Sequence, residues 1–239
     1  MSVAKHPRNP FVEAENSALL AAEYEVAVRR FVPGYEAIFS MAQAFFELSL
    51  PERAEVLIVG AGGGMELVAF GQSPPHWRFV GVDPSEKMVE AAQAKMGRHG
   101  LTERVELIQG YVQDLPETKM FDGATCILVM HFLPDDGAKR DLLKNIAARL
   151  KPQARFILVD GCEDVDSDRF KLFFRAFLRR AERMGATAEQ IEHASQNTSE
   201  FLHLISEERV LELLQEASFG DVYKFYTGLW FRGWLMTRQ

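Results

Sequence analysis

Short apolar runs recur along this chain, each bounded by turn residues. Between them lie stretches whose apolar positions fall three and four apart. Val56-Leu57-Ile58-Val59 is the first run, and Phe79-Val80-Gly81-Val82, ending on Asp83, is the second. Val105 to Gln109, Ala124 to Val129 and Arg155 to Asp160 continue the series. Runs this short, partly β-branched and without alternation, predict strands buried on both faces. The intervening stretches predict helices: Met65 to Phe70, Ser85 to about His99, and Asp136 to Leu150 closed by Lys151-Pro152. Strands that alternate with helices make a doubly wound, Rossmann-like, mostly parallel sheet. Asp221 to Tyr226 and Leu229 to Thr237 read as two closing strands joined by a Thr227-Gly228 turn. The expected fold is therefore α/β, with seven strands and an antiparallel last strand.

The flanks read as helical. Residues 1 to 15 look like a loose lead-in. Ser17 to Arg30 and Tyr35 to Phe46 are two helices separated by Val32-Pro33-Gly34, the second with Ile38, Met41, Ala42 and Phe45 on one face. After the fifth strand, Asp168 to Met184 carries Phe170, Phe173, Phe174 and Phe177, Thr187 to Ile205 is more polar, and Ser206 to Ala217 is a further helix. The expected organisation is an N-terminal helical lid over 1–50 and a nucleotide-binding core over 51–164. A helical insertion over 165–205 follows, and the helix and closing strands of the core fill 206–239.

Composition narrows the function. The chain has 239 residues, 47% hydrophobic, which suffices for one core with an insertion. A formal net charge of −7 argues against a general nucleic-acid binder, which needs a basic face. Cys126 and Cys162 lack metal-ligand spacing, so free thiols and no metal site are expected. No apolar run reaches 18 residues and the first ten residues lack an apolar signal core, so a cytoplasmic protein without a membrane segment is expected.

The chemistry gathers between the first two strands. Gly60, Gly62, Gly63 and Gly64 stand where the first strand becomes a helix, and let a ligand approach bare backbone. Asp83 follows 23 residues after Gly60, at the end of the next strand, where a carboxylate accepts from both hydroxyls of a ribose. This is a nucleotide-shaped site, open at this point to a dinucleotide or to S-adenosylmethionine (AdoMet).

The collinear segments VLIVGAGGG, GVDPSEKM, GYVQDLP, FDGATCILVMHFLPD, RLKP and FILVDG resemble the class I AdoMet-dependent methyltransferases. A dinucleotide oxidoreductase usually carries GxGxxG, whose third glycine position is Met65 here. The resemblance implies AdoMet as cofactor, with S-adenosylhomocysteine (AdoHcy) as product. It implies that Gly60, Ala61 and Gly62 line the methionine part, Asp83 holds the ribose, Pro84, Ser85 and Met88 cover the adenine, and Tyr111 and Val112 lie at its edge. Ile127, Leu128 and Val129 would form the floor under the sulfonium, and Tyr35 would close over the cofactor. Two acids common in relatives are absent: their places hold Ile58 and Tyr111.

RRFVPGYEAIFSM also resembles the first helices of the carboxy-S-adenosylmethionine synthases, a branch that acts in tRNA wobble-uridine modification and is commonly dimeric. That branch needs a cation for the extra carboxylate of its cofactor, yet residues 185 to 208 contain no Lys or Arg. An unpaired buried carboxylate is costly, so ordinary AdoMet and methyl transfer are expected. The expected partners are a small-molecule acceptor, with an RNA-linked one disfavoured by the net charge, and a second copy of the chain through residues 165 to 205. Carboxy-AdoMet synthesis and non-catalytic AdoMet binding remain as alternatives. Methyl transfer needs alignment more than any fixed catalytic residue. His131, just past the fourth strand, is the candidate general base, and packing against Phe132 is its competing reading.

Overall fold

The computed structural model describes the backbone of residues 17 to 239, and the side chains from Tyr24 on except Ser199. The lead-in expected over residues 1 to 15 lies outside the described residues. Two helices come first, α1 (Ser17–Phe31) and α2 (Tyr35–Ser49). Then β1 (Glu55–Val59), α3 (Met65–Phe70), β2 (Arg78–Asp83), α4 (Glu86–Arg98), β3 (Val105–Gln109), β4 (Phe121–Ile127), α5 (Ala138–Ala148) and β5 (Leu150–Gly161) alternate. The helices α6 (Asp168–Arg183), α7 (Ala188–Phe201) and α8 (Glu207–Glu216) precede β6 (Phe219–Gly228) and β7 (Phe231–Arg238).

The seven strands form one sheet in the order β3-β2-β1-β4-β5-β7-β6. All pairings from β3 to β5 are parallel, and β7 runs antiparallel to both β5 and β6. The period of two along each strand sorts the core into two layers. Val56 and Ile58 of β1, with Ile157 and Val159 of β5, face one layer with residues of α2 and α6. Leu57 and Val59, with Phe156 and Leu158, face the other with residues of α5 and α8. The chain leaves β1 for β2 on one side and returns to β4 on the other. The order therefore reverses at the carboxyl end of β1, where open α/β sheets leave a crevice.

Several boundaries differ from the sequence reading, β4 ending at Ile127 and α7 at Phe201 among them, and two have a plain physical cause. β5 starts at Leu150, through the Lys151-Pro152 that was expected to close the preceding helix, because Leu150 pairs with Phe121 of β4. The closing hairpin turns at Leu229-Trp230, one step beyond Thr227-Gly228, which still pair with Arg232 and Phe231. Gly228 attracted the reading because glycine marks turns. Its bareness instead admits the Tyr226 side chain, and Leu229 takes the positive φ of 57°.

The Phe-rich face of α6 packs inward. Phe170, Phe174 and Phe177 gather around the fully buried Trp230, with ring centroids 5.1, 5.5 and 4.4 Å from it. That stripe packs on the chain's own core, so a second copy meeting residues 165 to 205 would contact other side chains of that segment. Arg180 of the same helix donates to the Arg30 carbonyl at 2.6 Å and ties α6 to α1.

Trp230→Ala should therefore cost about 3–5 kcal/mol, the range for a large aromatic removed from a core. Urea unfolding followed by circular dichroism measures it. A loss below about 1 kcal/mol would mean that α6 rests on the core without being held by it.

Candidate functional site

The crevice at the carboxyl end of β1 is a cavity, and its walls come from five places. The Gly60–Gly63 turn with Met65 and Glu66 forms one wall, Asp83, Pro84 and Met88 the second, and Gly110–Gln113 the third. Ile127, Leu128 and Val129 form the floor, and Tyr24, Glu25, Tyr35 and Phe39 close it from α1 and α2. Of the residues predicted for the cofactor, Tyr35, Gly60, Ala61, Gly62, Asp83, Pro84, Met88, Tyr111, Val112, Ile127, Leu128 and Val129 all border this cavity. Ser85 does not border it. It is buried as the N-cap of α4, its hydroxyl accepting from the Met88 N–H at 3.3 Å.

Asp83 organises the rim. One carboxylate oxygen accepts from the Gly62 N–H at 2.8 Å and the other from the Ser85 N–H at 2.9 Å. Burial raises its pKa, and these two hydrogen bonds oppose the rise. A carboxylate has about four lone-pair sites, so capacity for ribose hydroxyls is left. Gly60 and Ala61 both donate to the Val82 carbonyl, at 2.9 and 3.0 Å. Three N–H groups of the turn are thus spent on the end of β2. Gly60 must be glycine: φ is +71°, and a Cβ would run into the Val129 side chain.

Glu66 is the residue that sequence reading missed. It is 6% exposed, on the first turn of α3, and it borders the cavity. Its Oε1 has no hydrogen-bond partner, nor does the Thr125 hydroxyl of β4, although Thr125 lies close enough to favour the ionised form. Burial dominates and pushes the Glu66 carboxyl up to about 7. A lone acid in the apolar run MELVAF was the available signal. Ile58, which stands where many relatives have an acid, is fully buried in the core.

The lid over the cavity is held by charge. Glu25 of α1 pairs with Lys95 of α4 at 2.5 Å and with Arg29 at 2.6 Å, and Arg29 reaches Glu36 at 2.6 Å. Tyr24 and Tyr35 are both raised in pKa, first by burial.

His131 does not border the cavity, although its neighbours Phe132 and Leu133 do. It is buried, edge-on to Phe132 with centroids 4.4 Å apart, so the packing reading holds geometrically. Its Nδ1 also meets the carboxylate of Asp160, at the end of β5, and its carbonyl accepts from the His203 N–H at 2.7 Å. Asp160 went unassigned in the sequence, though it ends its strand as Asp83 ends β2. Lys139 is buried beside this pair, donates to the Met130 carbonyl at 2.8 Å, and has its pKa lowered by burial. Cys126 and Cys162 are free and buried. No group of three or more potential metal ligands forms among the described residues, and no described helix is long and apolar enough to cross a membrane.

Known proteins supply an independent comparison. Residues 56–153 match a family model described as a methyltransferase domain. A demethylmenaquinone methyltransferase from Lactobacillus johnsonii is 26% identical over 67% of this chain, which spans just under two thirds (65%) of that enzyme. A carboxy-S-adenosyl-L-methionine synthase from Hahella chejuensis is 24% identical over 86% of this chain and 83% of its own length. The fold matches that of a Burkholderia thailandensis 1,6-didemethyltoxoflavin-N1-methyltransferase, solved with its substrate and S-adenosylhomocysteine. That match has a TM-score of 0.58, 22% identity, and covers 98% of this chain and 94% of the other.

The raised Glu66 carboxyl makes stability depend on pH. Its folded pKa lies above the usual 4.5, so the folded state binds more protons between those values. The stabilising contribution is complete below about 4.5 and is lost as pH rises through about 7. A shift of this size is worth up to about 3 kcal/mol. The gap in unfolding free energy between Glu66→Gln and wild type should widen from pH 5 to pH 8, with the variant the more stable at pH 8. A gap that stays flat contradicts this.

Proposed function

We propose that this chain, a class I AdoMet-dependent methyltransferase, transfers the sulfonium methyl group of AdoMet to a hydroxyl or amine of a small-molecule acceptor. The observation that carries the site assignment is the convergence of the glycine turn, Asp83 and the Ile127–Val129 floor on one cavity at the reversal of strand order. In this reading AdoMet lies across the end of β1. Asp83 accepts from the ribose hydroxyls, Pro84, Met88, Tyr111 and Val112 enclose the adenine, and Gly60–Gly62 face the amino-acid tail. Ser85 acts indirectly, by capping α4 and fixing Asp83. Tyr35 covers the cofactor and excludes water. The chemistry is an in-line displacement, in which the acceptor attacks the methyl carbon and the S–C electron pair stays on the sulfur of AdoHcy. Alignment supplies most of the rate.

His131 is the proposed base. In this reading the Asp160 carboxylate beside Nδ1 would orient the ring and leave Nε2 to take the acceptor proton. This requires the 202–205 segment, bonded through His203 to the His131 carbonyl, to shift when the acceptor enters. The small-molecule preference rests on the net charge of −7 and on the acceptor named for the toxoflavin enzyme. A homodimer would have to use a surface other than the phenylalanine face of α6.

The carboxylated cofactor is a second reading, favoured by the length of the match to the synthase. Its extra carboxylate would meet a wall with Glu25, Glu66 and Asp83 and one cation, Lys95, already paired with Glu25. A missing charge-assisted partner costs roughly 1.5–3 kcal/mol, so AdoMet is the better fit.

Three measurements test this reading. Asp83→Ala should weaken AdoHcy binding by about 2–3 kcal/mol in titration calorimetry, and unchanged affinity would misplace the site. Methyl-labelled AdoMet offered with cellular small-molecule and tRNA fractions should label the former, and label in tRNA would reverse the acceptor class. With an acceptor in hand, His131→Ala should lower kcat at least about 100-fold while the affinity for AdoHcy changes less than about twofold. Retained kcat would leave His131 a packing residue.

A further inference from the structure

The acid in the cavity wall has work that the displacement itself does not use. Asp83 stands on the β2 side of β1, whereas Glu66 neighbours Thr125 of β4 and Tyr35 of α2, on the other side. A nucleoside anchored on Asp83 therefore sends its amino-acid tail across the glycine turn toward Glu66. The turn's N–H groups at Gly60, Ala61 and Gly62 are already bonded to Val82 and Asp83, so these three are spent before a tail arrives. Glu66 adds a carboxyl more than nine-tenths buried that borders the cavity, its Oε1 closed off from solvent and Thr125 close by.

We propose that Glu66 receives the α-ammonium of the cofactor's amino-acid tail. The inference rests on the cofactor-site reading above. A buried carboxylate with an open lone pair gains a charge-assisted hydrogen bond from an ammonium, the stronger for lying away from water. The same contact makes tail binding sensitive to pH. Burial holds the empty-cavity carboxyl near 7, and an arriving ammonium draws it into the ionised form. The groups around it do not supply the same effect. Tyr24 and Tyr35 are phenols raised in pKa, Cys126 is a buried thiol raised well above its usual value, and Asp83 is bonded to two N–H groups. Glu25, Arg29 and Lys95 are paired with one another across α1 and α4.

The test uses two ligands that share nucleoside and thioether but differ in the tail: AdoHcy, and 5′-methylthioadenosine, which has none. Affinities are measured on the whole chain by titration calorimetry. At pH 8, Glu66→Gln should weaken AdoHcy at least tenfold and leave methylthioadenosine within twofold. In the wild type, the preference for AdoHcy over methylthioadenosine should shrink at least fivefold from pH 8 to pH 5.5, since both the ammonium and the tail carboxylate keep their charges over that range. This second arm needs no variant. Equal weakening of both ligands, or a wild-type preference flat with pH, overturns the proposal and leaves Glu66 a buried wall residue. A wild type that binds neither ligand removes the cofactor site itself, an outcome distinct from the other two.

Discussion

Asp83 bonded to the N–H groups of Gly62 and Ser85 is the contact on which the rest of the cleft depends. One buried carboxylate joins the glycine turn after β1, the end of β2 and the N-cap of α4. Each of those pieces contributes a wall. The bonds also oppose the effect of burial on this acid. Burial raises its pKa, and the two N–H donors restrain the rise, so the residue retains its capacity as an acceptor. Gly60 adds the steric half of the same constraint, since only a bare backbone passes Val129 at that φ.

The charges around the cavity then divide by function. Glu25, Lys95, Arg29 and Glu36 form a chain of ion pairs that closes α1 over the opening. Of these, only the pair with Glu36 reaches an exposed side chain, and a pair of that kind is worth about 0–1 kcal/mol. Glu66 and Asp83 are buried carboxyls on the cavity wall, costly to hold there without partners. Just past β4 and near the end of β5, His131 and Asp160 form a second buried polar pair.

Much of this was legible in the chain. The parallel strands announced themselves as apolar runs because they are buried on both faces, and β3 fell on its predicted bounds. Asp83 was legible because strand-end position and spacing from the glycines follow from the backbone alone. Glu66 and Asp160 were not, because their importance comes from burial without a partner and from a neighbour far along the chain. What the phenylalanine stripe of α6 packs against was hidden for the same reason. Helical spacing shows that one face is apolar, but Trp230, the residue that covers it, lies more than fifty positions later. The turn at Leu229-Trp230 was hidden by Gly228, a glycine used for close packing and not for a turn.

The central claim is that one ligand lies across the end of β1, from Asp83 to Glu66. A crystal structure of the chain with AdoHcy tests it most directly. The account predicts ribose hydroxyls on the Asp83 carboxylate, the thioether sulfur over Leu128-Val129, and the amino-acid nitrogen within hydrogen-bond distance of Glu66. A nucleoside seated away from Asp83, or a tail running outward past Lys95 with its nitrogen in solvent, would contradict it.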